Sequence, residues 1–259
     1  IKGSFRELSA GCRVLHPERL ILPKFNDFRE DVSYHWVEGF DLDSGEAILV
    51  PACSVYHPFG LDDPELMATH TNGVAAGNTM EEAVLHGLLE VIERDAWSIV
   101  KFGRLAAESV SIEDVPENDF LLSIAGKLRD AEIDVALMDY TLDLGIPVIT
   151  AKAHDLAIDM LMPMEGFGAH LDPKAAASRA LMEVATTRGL LFQQHGAGRL
   201  IEARPLYLFE AFAGDVLGDD PPTKSLSELA IGYSDDILAD ILSVSARLRE
   251  HGLSQVIVI

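Results

Sequence analysis

Apolar residues are concentrated in two runs between residues 33 and 56, where the sequence reads SYHWVEGFDLDSGEAILVPACSVY. Two runs rich in β-branched and aromatic residues flank Asp43-Ser44-Gly45, which is typical of a turn. The pattern therefore predicts two strands joined as a β-hairpin.

The segment after residue 78 has the periodicity of a helix instead. Thr79 followed three residues later by Glu82 predicts a capping box, and the helical pattern continues for about twenty residues. At about 100° per residue the helix carries two stripes. The apolar stripe holds Val84, Leu85, Leu88, Leu89, Val91, Ile92 and Ala96, and the polar stripe holds Glu82, His86, Glu90, Glu93 and Trp97. The polar stripe is either an ordinary solvated face or a site for cations and protons.

An internal repeat favours the second interpretation. Residues 72–95, NGVAAGNTMEEAVLHGLLEVIERD, align without a gap with residues 165–188, EGFGAHLDPKAAASRALMEVATTR, at a constant offset of 93 residues. The offset pairs Glu90 with Glu183. Asp172, followed by a proline, predicts the N-cap of the second helix.

A second echo joins the segments starting at Ser123 and Ser243, each a helix leading into an apolar strand. We therefore expect an α/β (α+β) fold of duplicated helix-strand units, with mixed sheets packed on helices about a pseudo-twofold axis. The expected organisation is a single domain over 1–259, truncated at both ends, with repeat units at about 69–153 and 162–259. Across such an axis Glu90 and Glu183 would face each other.

Two facing acidic helices repel unless a cation lies between them, and oxygen ligands select a hard ion such as Mg²⁺. Mg²⁺ held in this way usually brings phosphates, which Arg94, Arg179 or Arg188 could clamp. Neither a P-loop nor a dinucleotide fingerprint occurs in the sequence. Asn72 and its following glycine could present backbone N–H groups to an anion. A weaker alternative is a metal hydrolase that uses His86 and Glu90 with a bound water.

The chain has 259 residues and a net charge of −22, from 42 acidic and 20 basic residues. This charge disfavours nucleic acid and anionic membranes as partners, although it could also reflect a salty cytosol. No apolar run is long enough to cross a membrane. Only two cysteines are present, Cys12 and Cys53, which we expect to be buried reduced thiols in a cytoplasmic protein.

The segment TNGVAAGNTMEEAVLHGLLEVIERDAW resembles the central signature of the YcaO family. Support comes from WVEGFDLDSGEAILVPACSVY before it, GFGAHLDPKAAASRALMEVATTR after it, and LILP at 20–23, so the resemblance covers nearly the whole chain. The resemblance implies an enzyme that uses ATP and Mg²⁺ to phosphorylate the oxygen of a peptide backbone amide, which then leaves as phosphate. The attacking nucleophile is a Cys, Ser or Thr side chain in azoline-forming members and an external sulfide in thioamide-forming members.

Carried over to this sequence, the resemblance implies that Glu90 and Glu93 are the Mg²⁺ ligands. The resemblance also places His86 among the nucleotide contacts, at a position where many members have Gln. We expect His86 and Glu183 to be catalytic, and we expect the nucleotide to be bound by Asn72, His86, Glu90, Glu93, Arg94 and Arg188. The family also has a lysine-containing Gly-rich segment and another Glu-x-x-Glu-Arg helix earlier in the sequence than this signature, and neither occurs before residue 69 in this chain.

The N-terminal segment IKGSFRELSAGCRVLHPERLILP looks more like stand-alone archaeal members. Such members act with a TfuA partner to thioamidate a glycine of methyl-coenzyme M reductase, so thioamide formation by a homodimeric enzyme is the expected function. Two alternatives stay open, which are an azoline-forming cyclodehydratase and a non-catalytic auxiliary of another modifying enzyme.

Overall fold

The computed structural model describes residues 1–26, 28–156, 164–195 and 222–259. Part of the second predicted repeat unit lies outside these residues. The helices are α1 (Phe5–Leu8), α2 (Met80–Gly103), α3 (Phe120–Asp130), α4 (Pro173–His195) and α5 (Ile237–Glu250). The strands are β1 (Lys2–Ser4), β2 (Ser33–Asp41), β3 (Ala47–Pro51), β4 (Glu108–Ser111), β5 (Ile133–Asp139), β6 (Val148–Asp155), β7 (Met164–Ala169), β8 (Lys224–Ser225) and β9 (Ile257–Val258).

The chain divides into two compact units, the first formed by residues 1–87 with 241–259 and the second by residues 88–240. In the first unit, β2 pairs antiparallel with β1, β3 and β9. The predicted hairpin is confirmed as β2 and β3, and Gly45 in its turn has a φ of +67°. That left-handed backbone conformation suits a residue without Cβ. The core of the sheet contains Tyr34, Trp36, Leu49, Cys53 and Leu66.

The second unit contains a five-stranded sheet in the order β7-β6-β5-β4-β8. Its pairs are antiparallel except for β4 with β8, so the sheet is mixed. Helices α3 and α4 pack on the sheet and on each other, and their buried residues share one apolar core with the strands. Both predicted helix-strand pairs are present, as α3 followed by β5 and α5 followed by β9. This is the predicted class of mixed sheets packed on helices.

The start of α2 agrees with its sequence signal. Oγ1 of Thr79 accepts a hydrogen bond from the backbone N–H of Glu82 at 3.2 Å. The Glu82 carboxylate accepts from the backbone and side-chain nitrogens of Asn78, at 2.6 and 2.8 Å. These bonds lower the pKa of Glu82, so this acid of the polar stripe serves the helix terminus.

Two positions on α2 differ from the predicted stripes. Val91, expected on the apolar side, is 48% exposed, whereas Glu93, placed on the polar side, is only 8% exposed. The buried side of the helix is centred near Leu89. Glu93 lies four residues after Leu89, about 40° around the helix, whereas Val91 lies about 160° away, on nearly the opposite side. The buried side of α2 is therefore rotated relative to the apolar stripe expected from the sequence, because β7 contacts the face that carries Glu93.

The cysteine prediction is half right. Both thiols are free, and Cys53 is buried, but Cys12 is exposed. Cys12 lies just after the short helix α1, and its Sγ donates to the carbonyl of Leu8 at 3.2 Å. Within the described ranges, no helix combines the length and apolar character needed to cross a membrane.

Candidate functional site

Helix α4 lies directly on strand β7 because two strand residues lack a side chain. A Cβ at Gly166 would clash with the carbonyl oxygen of Ala180, and one at Gly168 would clash with that of Ala176. The helix begins as predicted, since Oδ1 of Asp172 accepts from the backbone N–H two residues on at 2.9 Å. This packing brings the polar side chains of α4 to the backbone of β7.

Glu93, on α2, is buried, whereas the two acids paired by the repeat, Glu90 and Glu183, are only partly buried. Oε1 of Glu93 lies 2.9 Å from Nη2 of Arg94, and this carboxylate has a hydrogen bond with the backbone of Ala169. Burial raises the pKa of Glu93 to about 7, and the charges of Glu183 and Glu90 act in the same direction. Arg94 and the backbone hydrogen bond oppose this shift. A cation beside Glu93 would therefore relieve an unfavourable buried charge.

Glu183, on α4, faces the same arginine. Its Oε2 accepts a 2.6 Å hydrogen bond from the backbone N–H of Phe167 in β7. Its Oε1 lies 3.8 Å from Nη2 of Arg94, and the guanidinium of Arg94 lies 5.0 Å from the centre of the Phe167 ring. The structure thus brings together four predicted site residues of the second unit, which are Glu90, Glu93, Arg94 and Glu183. We call Glu90, Glu93 and Glu183 the carboxylate cluster.

The side of α2 that carries Glu93 contacts β7 at regular intervals. Glu93 reaches Ala169, Trp97 lies against Phe167 with ring centres 6.1 Å apart, and Nζ of Lys101 lies 2.6 Å from Oε1 of Glu165. The spacing is four residues on the helix and two on the strand, which matches one face of each element. These three contacts therefore pack one face of α2 against one face of β7.

Arg179 on α4 also lies near Glu93. Its Nη1 donates to the carbonyl of Ala169 at 3.3 Å. Burial lowers the pKa of Arg179, and the charge of Glu93 opposes that shift. The sequence offered this arginine only as one of several possible phosphate clamps. Its neighbours Phe167 and Ala169 were missed, although they correspond by the 93-residue offset to loop residues that precede α2.

His86 and Asn72 belong to the first unit. Nδ1 of His86 lies 3.1 Å from the carbonyl oxygen of Ala76. Because a carbonyl only accepts, Nδ1 carries the hydrogen, and in a neutral ring Nε2 is then the acceptor. The Asn72 side chain is exposed, and its backbone N–H donates to Nδ1 of His70 at 3.2 Å. The expected nucleotide contacts of His86 and Asn72 stay predictions.

The two repeat copies make one contact in common. His86 bonds to the carbonyl of Ala76, and Arg179 bonds to the carbonyl of Ala169. Both members of the first pair map onto the second at the offset of 93 residues. The matched pair of contacts supports the interpretation of a duplicated unit.

Arg188 is placed elsewhere in the second unit. Its Nε lies 2.6 Å from Oδ2 of Asp155, whose side chain is fully buried, and its guanidinium lies 4.6 Å from the centre of the Phe192 ring. None of its described contacts is with the carboxylate cluster. The predicted role of Arg188 as a nucleotide ligand stays a prediction, and the structure gives this arginine a role in stability.

The donor chemistry of the carboxylate cluster suits Mg²⁺. Within the described residues, no three His, Cys, Asp or Glu side chains converge closely enough to cage a metal by themselves. Mg²⁺ rarely needs such a cage, because one or two carboxylates usually bind it together with water and substrate phosphates. Glu93, buried and next to two further acids, fits that kind of site.

Comparison with known proteins identifies the family. The family model described as YcaO cyclodehydratase, ATP- and Mg²⁺-binding, matches residues 1–259. The chain belongs to the YcaO family. The resemblance carried by the α2 signature is therefore confirmed, and the family is one that binds ATP and Mg²⁺.

Solved YcaO-type structures confirm the fold class. YcaO from Methanopyrus kandleri, bound with AMPPCP and Mg²⁺, is 28% identical with a TM-score of 0.68 over 95% of this chain and 62% of that chain. The heterocyclase TruD is 25% identical with a TM-score of 0.74 over 97% of this chain and 38% of that chain. Both share the mixed sheets packed on helices.

Two curated relatives are also similar in sequence. A protein of Methanothermobacter thermautotrophicus is 40% identical over 190 residues, which are 71% of this chain and 48% of that protein. A Rhizobium leguminosarum bv. trifolii protein, named for its position in the tfuA 3′ region, is 33% identical over 162 residues, which are 59% of this chain and 38% of that protein. The chain thus spans about half the length of these relatives or less.

Proposed function

We propose that this YcaO protein uses Mg²⁺ and ATP to activate a peptide backbone amide, and that sulfide then converts the amide into a thioamide. The observation that carries the proposal is the burial of Glu93 on the helix with the family signature, beside Arg94 and the other acids of the carboxylate cluster. When bound, Mg²⁺-ATP supplies the phosphoryl group that turns the amide oxygen into a leaving group.

Glu90 and Glu93 are the residues that would hold the cation. Near neutral pH the buried Glu93 is protonated in part of the molecules and ionised in the rest, because its pKa is raised to about 7. A divalent cation favours the ionised form, so cation binding and loss of this proton are coupled. The backbone hydrogen bond from Ala169 keeps the carboxylate oriented as the proton leaves.

Glu183 is our candidate for moving a proton. Its side chain is 38% exposed, so one face is open to a substrate, and the Phe167 N–H fixes its direction. Placed beside an attacking hydrosulfide, the carboxylate would take the proton that the sulfur must lose as the C=S bond forms and the oxygen departs as phosphate. His86, with Nε2 as acceptor, is the second candidate for such a role.

The choice of thioamide formation draws on the relative from the tfuA 3′ region and on the resemblance of the N-terminal segment to archaeal members. We propose a TfuA-like partner as the sulfur supplier, a glycine of methyl-coenzyme M reductase as the target, and a homodimeric enzyme. The protein substrate would be bound in extended form so that its backbone amide is accessible.

A second candidate function is azoline formation, in which a Cys, Ser or Thr of the substrate attacks the neighbouring amide. The similarity to the heterocyclase TruD favours it. The two reactions share amide activation and differ only in the nucleophile, so the same carboxylate cluster would serve both.

The distinguishing experiment incubates the full-length protein with Mg²⁺-ATP, sulfide, the TfuA-like partner and peptides containing either glycine alone or glycine followed by cysteine. Exchange of one oxygen for sulfur in the glycine peptide, seen by mass spectrometry and dependent on ATP, is the expected result. Loss of water from the cysteine peptide without sulfur uptake would instead establish the cyclodehydratase. Modification of neither peptide, without phosphate release, would contradict both.

A further inference from the structure

A single nitrogen atom serves two acids in the second unit. Nη2 of Arg94 lies 2.9 Å from Oε1 of Glu93 and 3.8 Å from Oε1 of Glu183. One positive group thus sits between two carboxylates that belong to different helices. The ring of Phe167, 5.0 Å from the guanidinium, adds a cation–π contact that favours this position.

Strand β7 holds the two carboxylates in place independently of the arginine. The backbone N–H of Phe167 donates to Glu183 at 2.6 Å, and the backbone of Ala169 is hydrogen-bonded to Glu93. The glycines on either side of Phe167 pack directly against the backbone of α4. The acids therefore stay close together whether or not a cation separates them.

Arg94 is more exposed than one of its two partners. Its side chain is 30% exposed, compared with 10% for Glu93 and 38% for Glu183. Its position depends on one long side chain with several rotatable bonds, whereas the acids are bonded to a strand. Of the three side chains, Arg94 is the one whose described contacts include no hydrogen bond to β7, so it is the one that can leave.

We propose that Arg94 is a built-in counter-cation that holds the position between Glu93 and Glu183 until the divalent cation of the nucleotide complex replaces it. The proposal rests on the proposed function, in which the α2 carboxylates hold Mg²⁺. Arg94 is then a positioning residue rather than the nucleotide ligand expected from the sequence: in the free protein it neutralises the buried Glu93 and the partly exposed Glu183, and it competes with the metal for them.

Competition has a measurable consequence. A site that is free of its own arginine for only a fraction of the time binds the metal more weakly by that fraction. Removal of the Arg94 charge should therefore tighten Mg²⁺ binding by up to about fivefold, the largest factor that corresponds to a partly exposed ion pair. The same change should destabilise the metal-free protein, because Glu93 and Glu183 then repel each other without compensation.

The test uses the full-length protein as wild type and as Arg94→Gln, Arg94→Lys, Glu93→Gln and Arg13→Gln. Arg13 is the matched control because it also bridges two carboxylates, those of Asp41 and Glu46, in the first unit. Mg²⁺-AMPPCP affinity is measured by calorimetry, and melting temperature is measured in EDTA and in Mg²⁺ alone.

Tighter Mg²⁺-AMPPCP binding by Arg94→Gln, with a Mg²⁺-induced rise in melting temperature larger than that of wild type and of Arg13→Gln, would support the exchange. Arg94→Lys should stay near wild type because it keeps the charge. Weaker or unchanged binding by Arg94→Gln, while Glu93→Gln loses binding, would overturn the exchange and leave the proposed function standing. Equal binding by wild type and Glu93→Gln would remove the metal site itself and both proposals with it.

Discussion

The backbone N–H of Phe167 donates a 2.6 Å hydrogen bond to the carboxylate of Glu183. The bond joins the edge strand β7 to helix α4 and aims an acid that the repeat had paired with Glu90. An N–H on an open strand edge would otherwise face solvent or another chain. The same bond that protects the edge therefore also orients a candidate proton acceptor.

This relationship depends on the glycines that flank Phe167. Gly168→Ala would place a Cβ against the backbone of α4, and overpacking of this kind costs about 1–3 kcal/mol or more. We expect Gly168→Ala to lower the free energy of unfolding by at least about 2 kcal/mol, measured in urea. Gly189→Ala, in α4 with open space around it, is the control and should be neutral or stabilise by about 0.5–1 kcal/mol. Similar effects of both changes would mean that α4 does not pack on β7 as described.

The pH dependence of stability should report on Glu93. Its pKa is about 7 in the folded protein and 4.5 ordinarily, so the folded state binds the proton more tightly. The stability linked to this group is fully present below pH 4.5 and is lost as the pH rises to about 7, in total ~3 kcal/mol. Glu93→Gln, which cannot ionise, should therefore become more stable relative to wild type as the pH rises from 5 to 8 in EDTA.

Urea unfolding of both proteins at the two pH values measures this gain. Glu81→Gln, an exposed substitution in the first turn of α2, is the control and should differ from wild type by less than about 0.5 kcal/mol at either pH. A constant difference between wild type and Glu93→Gln across this range would show that Glu93 is ionised and solvated in the folded protein.

Arg188→Gln should destabilise the protein by about 3 kcal/mol, because the fully buried Asp155 carboxylate loses its 2.6 Å partner. Lys174→Gln breaks the more exposed pair with Asp119 and should cost less than about 1 kcal/mol. Thermal and urea unfolding would compare the two variants. Calorimetry on Arg188→Gln then decides its predicted nucleotide role, since unchanged Mg²⁺-AMPPCP affinity would remove Arg188 from the candidate ligands.

Local signals predicted the hairpin, the N-terminus of α2 and that of α4, because turns and caps depend on residues a few positions apart. The offset that pairs Glu90 with Glu183 also predicted which second acid to examine. Burial was harder to predict. Val91 and Glu93 changed places relative to the expected stripes because the strand that covers Glu93, β7, lies more than sixty residues away in the sequence.

The same limit applies to the arginines. Composition alone could not show that Arg94 would bridge two acids whereas Arg188 would pair with Asp155, since both are arginines near the ends of matched segments. Their different partners arise from tertiary packing of α4 against β6 and β7. The roles of backbone donors such as Phe167 are likewise invisible in side-chain patterns.

Calorimetric binding of Mg²⁺-ATP to the full-length protein tests most directly whether the carboxylate cluster holds the nucleotide complex. It compares wild type with Glu90→Gln, and with Glu81→Gln as the control on the same helix. Glu90→Gln keeps the shape of the side chain and removes one charge from the carboxylate cluster. We expect Glu90→Gln to lose at least about tenfold in affinity, about 1.4 kcal/mol, while Glu81→Gln binds like wild type. Equal affinities of all three proteins would contradict the account, because the acids of α2 would then be a solvated face that holds no nucleotide.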